Sequence, residues 1–391
     1  TKFALDKTID MLRIFTEKYG EYPFIKEKYG HAQFGFGGGM EHQTISSMGT
    51  FEETVVAHEL AHQWFGDKVT CKNWENIWLN EGFATYSESI YLEAKYGKAS
   101  FMNDVQANMN GAMNAQGPLY LNDISSVNSI FNYNRSYAKG AIVLHMLRGV
   151  LGDDNFFKVM RTYHDKPAFR YGVVTTEDFQ GVCEEVSGNS LDYFFREWVY
   201  GENYPRYNIG WNQSLVPGTN KYKLLLRLKQ TSNSNPQFFT MPFELKIGFG
   251  SGRDTIVTAF NSSQEEVFEF FVSEKPASIT FDPNSKILKE VLSISSLRDE
   301  SILPLEYSLS QNYPNPFNPT TVIEYSLPIS GNVKITLFDA IGKEVKELVN
   351  KYEDRGYHKI ELNAENLASG IYIYKLEINN FIDSKKMILV K

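Results

Sequence analysis

Thr54-Val55-Val56-Ala57-His58-Glu59-Leu60-Ala61-His62-Gln63-Trp64-Phe65-Gly66 reads as a buried helix in which three ionisable groups sit in an apolar frame. His58 and His62 are four apart, so on a helix they share a face, one turn above the other. Two imidazoles at that spacing can bind one zinc ion, and Glu59 beside the first can serve as general base. A second stretch, Trp78-Leu79-Asn80-Glu81-Gly82-Phe83-Ala84-Thr85-Tyr86, also has a helical apolar pattern. A helix there, packed on the first, brings Glu81 to the metal as third ligand. Two His and one Glu leave a fourth position for water, which is the open arrangement of a catalytic site. The bland alternative is a pair of satisfied core histidines beside a buried ion pair. It leaves a glutamate and two imidazoles in an apolar helix with no cation to repay their burial.

The surrounding chain has 391 residues, 42% of them hydrophobic, which is enough for sizeable cores and two to three domains. Its net charge of −8, with no basic block or arginine stripe, argues against a nucleic-acid partner. No apolar run reaches the ~18 residues needed to span a bilayer, so no transmembrane segment is expected. The two cysteines, Cys71 and Cys183, have no metal spacing and are read as free thiols. Thr1 opens the chain without a start methionine or a signal-peptide pattern, so a fragment is expected.

Residues 3 to 19 show helical periodicity, with Leu5, Ile9, Leu12 and Phe15 on one face. Next, Gly38-Gly39-Met40-Glu41-His42-Gln43 reads as an exposed strand edge beside the cleft, its glycines letting an extended peptide lie alongside. On these residues alone, a glycine-rich turn with a solvated Glu41 fits equally well. Helical patterns continue to about residue 200, including one capped by Thr176 with Glu177 and Asp178 in its first turn. Alternating strand runs follow at 222–229, 239–249, 255–260, 267–272 and 278–281, and read as a β-sandwich. Residues 290–306 have no clear period and read as a linker. From Tyr307 the chain reads as a small all-β domain with no cluster of catalytic residue types. The expected class is multidomain α+β. Its expected divisions are 1–202 mostly helical, 203–289 β-sandwich, 290–306 linker and 307–391 all-β.

Residues 1 to about 290 resemble the zinc aminopeptidases related to aminopeptidase N and leukotriene hydrolase, the gluzincins. Four matches in order carry the resemblance: Gly38-Gly39-Met40-Glu41, His58-Glu59-Leu60-Ala61-His62, Asn80-Glu81-Gly82 and Tyr137-Ala138-Lys139-Gly140. It implies a thermolysin-like catalytic domain with one zinc held by His58, His62 and Glu81, and Glu59 as base. It further implies that the Tyr137 hydroxyl stabilises the oxyanion. Glu41, with Gly38, Gly39 and Met40, would hold the free amine and backbone of a peptide substrate. The chain departs from the family pattern at His42, where relatives usually carry Asn. Relatives also carry a β domain ahead of the position of Thr1, so the resemblance implies an N-terminal truncation.

Residues from about 307 to 391 resemble the C-terminal sorting domain of the bacterial type IX secretion system. Tyr313-Pro314-Asn315-Pro316-Phe317, Asp339-Ala340-Ile341-Gly342-Lys343, Leu367-Ala368-Ser369-Gly370-Ile371-Tyr372 and the basic last strand carry this match. It implies a secreted or cell-surface bacterial protein that meets the type IX machinery through this domain. Two other functions stay open beside the aminopeptidase. A thermolysin-type zinc endopeptidase needs no Glu41, and a non-catalytic surface binding protein has no use for Glu59 or Tyr137.

Overall fold

The computed structural model describes every residue except 1–5, 217, 233, 297–303 and 305. The expected helical position of Leu5 and most of the expected linker therefore lie outside the described residues. The chain combines helices with several sheets. It divides into two compact units, residues 1–209 with 228–266 and 272–293, and residues 210–227 and 267–271 with 294–391.

The first unit opens with α1, Thr8–Tyr19, which buries Thr8, Met11, Ile14, Phe15 and Tyr19. This corrects the expected face, since Ile9 is 75% exposed. Aromatic packing sets the rotation: Phe15 and Tyr19 lie 6.0 Å and 6.4 Å from the Trp64 ring, and Tyr19 lies 4.9 Å from Phe65. Strands β1 (Gly30–Gln33), β2 (Gly39–Met40) and β3 (Ile45–Met48) form a small sheet in the order β1-β3-β2. Of the glycine-rich stretch only Gly39 and Met40 are edge strand, pairing Gly39 with Met48 and Met40 with Ser47, and residues 41–44 leave the sheet.

Helix α2, Glu53–Ala61, buries Val56, Ala57, Glu59, Leu60 and Ala61. His62 follows in right-handed helical conformation, so the four-residue relation to His58 survives the helix end. Strand β4 (Val69–Cys71) leads to α3, Trp78–Tyr96, whose first half is buried throughout from Trp78 to Ser87. The Phe83 ring sits 4.8 Å from Phe65, 5.0 Å from Phe179 and 5.9 Å from Tyr163. Aromatic contacts of this kind contribute about 0.5–1.5 kcal/mol each beyond their area. They anchor α3 two residues past Glu81.

Helix α4 spans Lys98–Ala112, and a short helix α5 (Val127–Ile130) leads into a π-helical segment, Tyr133–Lys139. Helix α6, Gly140–Leu151, continues from it and buries eight successive residues, Gly140 to Leu147. Gly82 and Gly140 let α3 and α6 touch: a Cβ at Gly82 would lie 2.8 Å from the Gly140 Cα. A side chain at either position would force apart the elements that carry Glu81 and Tyr137. Helices α7 (Asp153–Asp165), α8 (Thr176–Ser187) and α9 (Asp192–Trp198) follow, with β5 (Gly172–Val174) pairing β4. The cap of α8 is Thr175, which forms a capping box with Asp178, and not Thr176 as its sequence suggests. Thr176 is buried instead, bonded to the Asn76 side chain and the Trp78 indole.

The described residues of the β region form seven strands: β6 (Arg206–Leu215), β7 (Tyr222–Thr231), β8 (Met241–Phe249), β9 (Asp254–Asn261), β10 (Glu265–Val272), β11 (Pro276–Phe281) and β12 (Glu290–Ser296). They form a four-stranded sheet, β10-β7-β6-β12, and a three-stranded one, β11-β8-β9. Met241, Phe243, Leu245 and Ile247 alternate inward along β8, the period-2 pattern of a half-buried strand. Residues 290–296, read in the sequence as the start of a linker, are strand.

Within the second unit, β13 (Ser308–Leu309), β14 (Thr320–Leu327), β15 (Gly331–Asp339), β16 (Glu344–Glu353), β17 (Gly356–Asn363), β18 (Gly370–Ile378) and β19 (Phe381–Leu389) form two sheets, β13-β14-β17 and β16-β15-β18-β19. Their shared core holds Ile323, Tyr325, Ile335, Leu337, Tyr374, Leu376 and Met387. Cys71 and Cys183 are both free and buried. Among the described residues, no helix is long and apolar enough to cross a membrane.

Candidate active site

Helix α2 presents His58 and, at its end, His62; the first turn of α3 presents Glu81. The His58 and His62 Nε2 atoms are 3.1 Å apart, and each lies 3.4 Å from Glu81 Oε2. Ligand atoms about 2.0–2.1 Å from a tetrahedral zinc are roughly 3.3 Å from one another, so the triangle fits the ion. The other ring nitrogens are engaged. His58 Nδ1 bonds Glu88 Oε1 at 2.9 Å, and His62 Nδ1 bonds the Phe65 carbonyl at 2.9 Å. Those partners accept a proton from Nδ1, which leaves the Nε2 atoms turned toward each other and toward Glu81. A shared cation resolves that opposition.

The charges tell the same story. Burial raises the Glu81 carboxyl, but the His62 and His58 charges and hydrogen bonds outweigh it and hold Glu81 at about 2. Burial lowers His62, and the charges of Glu41 and Glu81 outweigh it, bringing it to about 9. Burial also lowers His58, which hydrogen bonds to Glu81 and Glu88 carry well above its ordinary value. Four carboxylates (Glu41, Glu59, Glu81 and Glu88) thus crowd two imidazoles, a surplus of negative charge suited to a divalent cation.

Glu59 is 5% exposed, and its Oε2 has no hydrogen-bond partner among the described residues. Burial pushes it up to about 7, against the lowering charges of His58 and His62. A carboxylate near neutrality with one free oxygen is suited to taking a proton from water. Glu41 completes a second cluster: its carboxylate lies within 4.8 Å of a Glu59 oxygen and a His62 nitrogen. The backbone of Gly39 lies against Glu59, where a Cβ would fall 2.3 Å from Oε1. Met40 is half-exposed at the strand edge.

Tyr137 reaches the trio from the π-helical segment. Its ring is stacked on His58 with centroids 6.0 Å apart and planes at 19°, and on Tyr133 at 6.2 Å. Burial and the charges of Glu81, Glu41 and Glu59 hold its hydroxyl above its ordinary range. The phenol therefore stays a proton donor.

Gly38, Gly39, Met40, Glu41, His58, Glu59, His62, Glu81 and Tyr137 all line one cleft of about 1300 Å³. Sequence reading missed Glu88, Asp104, Asn108 and Thr85, which line the same cleft. Glu88 had a signal: it lies two helical turns past Glu81, on the same face of α3. Asp104 and Asn108 had none, because they come from α4.

Residues 40–198 match the Peptidase family M1 domain, and residues 311–391 match the Secretion system C-terminal sorting domain. Aminopeptidase M1-B of Oryza sativa subsp. japonica is 31% identical over 228 residues, covering 52% of this chain and 26% of that protein. Probable aminopeptidase 2 of Sulfurisphaera tokodaii is 30% identical over 243 residues, covering 55% and 30%. Aminopeptidase N of Lactococcus lactis subsp. lactis is 33% identical over 161 residues, covering 39% and 19%. The chain thus spans under a third of the length of these relatives. Legionella pneumophila aminopeptidase A, solved in complex with aspartic acid, shares the fold over 76% of this chain and 35% of that one, with a TM-score of 0.62 at 19% identity. A sorting domain of the kind at residues 311–391 marks a bacterial protein for export to the cell surface or the medium. The chain thus resembles peptidase family M1 through residues 40–198 and a secretion system C-terminal sorting domain through residues 311–391.

Proposed function

We propose that the chain is the catalytic part of a zinc aminopeptidase that releases single residues from the free N-terminus of peptides. The observation that carries the reading is the triangle of His58, His62 and Glu81, with Glu41 within 4.8 Å of Glu59 and His62. A thermolysin-like domain ending near residue 202 holds this site, a β-sandwich follows, and the sorting domain begins near residue 307.

One zinc per chain, when bound, supplies a Lewis acid that acidifies water to a pKa of about 7 and polarises the scissile carbonyl. The chain's own groups do the rest. Glu41 takes the substrate ammonium by a charge-assisted hydrogen bond and so sets the scissile bond one residue away. Gly38, Gly39 and Met40 offer an extended edge along which the substrate backbone lies. Glu59 Oε2 accepts the proton of the attacking water and passes it to the leaving amine. Tyr137 donates its hydroxyl to the oxygen on which negative charge develops.

Metal analysis of the purified chain should find about one zinc, as a site with this donor set requires. The His58→Ala, His62→Ala double variant should lose it; full zinc in that variant would overturn the ligand assignment. Glu41→Ala should slow cleavage of unblocked peptides at least ~10-fold, the size of one charged hydrogen bond of about 1.5–3 kcal/mol. It should also narrow the preference for free over acetylated N-termini. Internal cutting of acetylated peptides by the wild type would favour an endopeptidase with a cleft open at both ends. The type IX secretion machinery is the proposed partner of residues 307–391. A chain cut after residue 306 should stay inside a host that has that machinery, and equal secretion of cut and intact chains would refute the partner.

A further inference from the structure

Beyond His58 the cleft extends into a wing that Glu88, which orients His58, shares with groups the mechanism does not use. Its floor is acidic. Glu88 on α3 reaches it from His58 Nδ1, and Asp104 reaches it from α4. Asp104 is oriented from behind: Ser89 Oγ donates to its Oδ2 at 2.5 Å, and Asn108 Nδ2 donates to the same oxygen at 3.2 Å. Its Oδ1 has no hydrogen-bond partner among the described residues. Thr85 lines the same cleft from α3, one turn past Glu81. It is 4% exposed, and its Oγ1 is also without a partner. Val55 and Ala107 supply apolar wall. A buried, unpartnered hydroxyl and a fixed carboxylate with one oxygen open to the cleft are groups that a ligand can complete.

Resting on the aminopeptidase reading, we propose that this wing binds the side chain of the substrate's second residue and selects a cation there, lysine or arginine. The direction follows from the anchor. Glu41 approaches the trio from His62, while Glu88 approaches it from His58. With the ammonium on Glu41 and the first carbonyl at the trio, the departing part of the peptide runs past His58 into the wing. A lysine stem lies along Val55 and Ala107, and its ammonium meets Asp104 Oδ1 and the Thr85 hydroxyl. A glutamate side chain in the same place meets Glu88 and Asp104 and is repelled.

The test uses the full chain with zinc and three peptides with free N-termini: alanyl-lysine amide, alanyl-norleucine amide and alanyl-glutamate amide. Norleucine keeps the stem of lysine without its charge, and the amides remove the terminal carboxylate from the comparison. The wild type should show kcat/KM at least about tenfold higher for lysine than for norleucine, with glutamate slowest. Asp104→Asn should bring the lysine-to-norleucine ratio down severalfold. A ratio is independent of how much of the variant is active, so partial unfolding does not blur it. Should Asp104→Asn not fold, the wild-type ratio decides by its salt dependence. It falls between low and high salt if a charge is read, and stays level if the wing only packs the stem. Equal rates for lysine and norleucine, or a ratio unmoved in Asp104→Asn, overturn this inference and leave the aminopeptidase reading standing. No cleavage of any of the three peptides overturns both.

Discussion

Glu59→Gln is expected to keep its zinc and lose nearly all turnover. The two halves of that result have separate causes. Metal retention follows because Glu59 lies outside the triangle of His58 Nε2, His62 Nε2 and Glu81 Oε2, whose edges are 3.1, 3.4 and 3.4 Å. The hydrogen bonds that orient those ligands run to Glu88 and to the Phe65 carbonyl, which the substitution leaves alone. Loss of turnover follows from the proton. Glu59 Oε2 is buried and has no partner among the described residues, so it is free for water. An amide of the same shape fills the space but cannot take a proton. General base catalysis supplies roughly 10²–10⁴-fold, and kcat should fall by about that factor. Metal analysis and steady-state kinetics on one preparation check both halves. A variant with full zinc and a kcat within tenfold of wild type would place the base elsewhere. Loss of zinc would instead show that Glu59 supports the metal.

How far the sequence foretold the structure depends on whether a feature is local. The relation of His58 to His62 is one helical turn, so spacing alone places both on one face. Glu81 lies nineteen positions past His62 in the chain and reaches the trio only because α3 packs on α2. The apolar run around it signalled a helix but not the contact. Asp104 was illegible, since its orientation comes from Ser89 and Asn108 on two helices, and only their packing brings these together. The face of α1 was misjudged because Phe15 and Tyr19 turn the helix toward Trp64, and Ile9 is left outside. Strand β12 was missed because all seven of its residues are exposed. Backbone pairing in its sheet makes it a strand, and pairing without burial leaves no alternation to read. Strand β6 was missed for a related reason. Asn208, Gly210 and Asn212 are poor strand formers, and tertiary pairing overrides them.

Tyr137→Phe should lower kcat by about 10²–10³-fold and leave KM nearly unchanged, the loss found when one donor to a developing oxyanion is removed. The ring does not need its hydroxyl to stay in place. It is stacked between His58 and Tyr133. The π-helical segment around it is tied independently: Arg135 donates to the Ser129 carbonyl at 2.6 Å, Ser136 Oγ to the Ile130 carbonyl at 2.6 Å and Lys139 Nζ to the Gly201 carbonyl at 3.3 Å. Segments of π-helix are strained relative to α-helix and recur at functional sites, where the wider turn re-aims a side chain. Here the re-aimed side chain is Tyr137, and all three ties survive its substitution, so zinc content and melting temperature should hold. What disappears is one donor. The carbonyl of bound substrate is a weak acceptor and gains little from it, whereas the oxyanion gains much, so the loss falls on the rate and not on binding. The surrounding carboxylates sharpen the contrast, because Glu81, Glu41 and Glu59 keep the phenol protonated up to the moment the oxyanion forms. Separate determination of kcat and KM decides the matter. A rise in KM at constant kcat would make Tyr137 a substrate-binding residue, and an unchanged kcat/KM would leave the oxyanion to the metal alone.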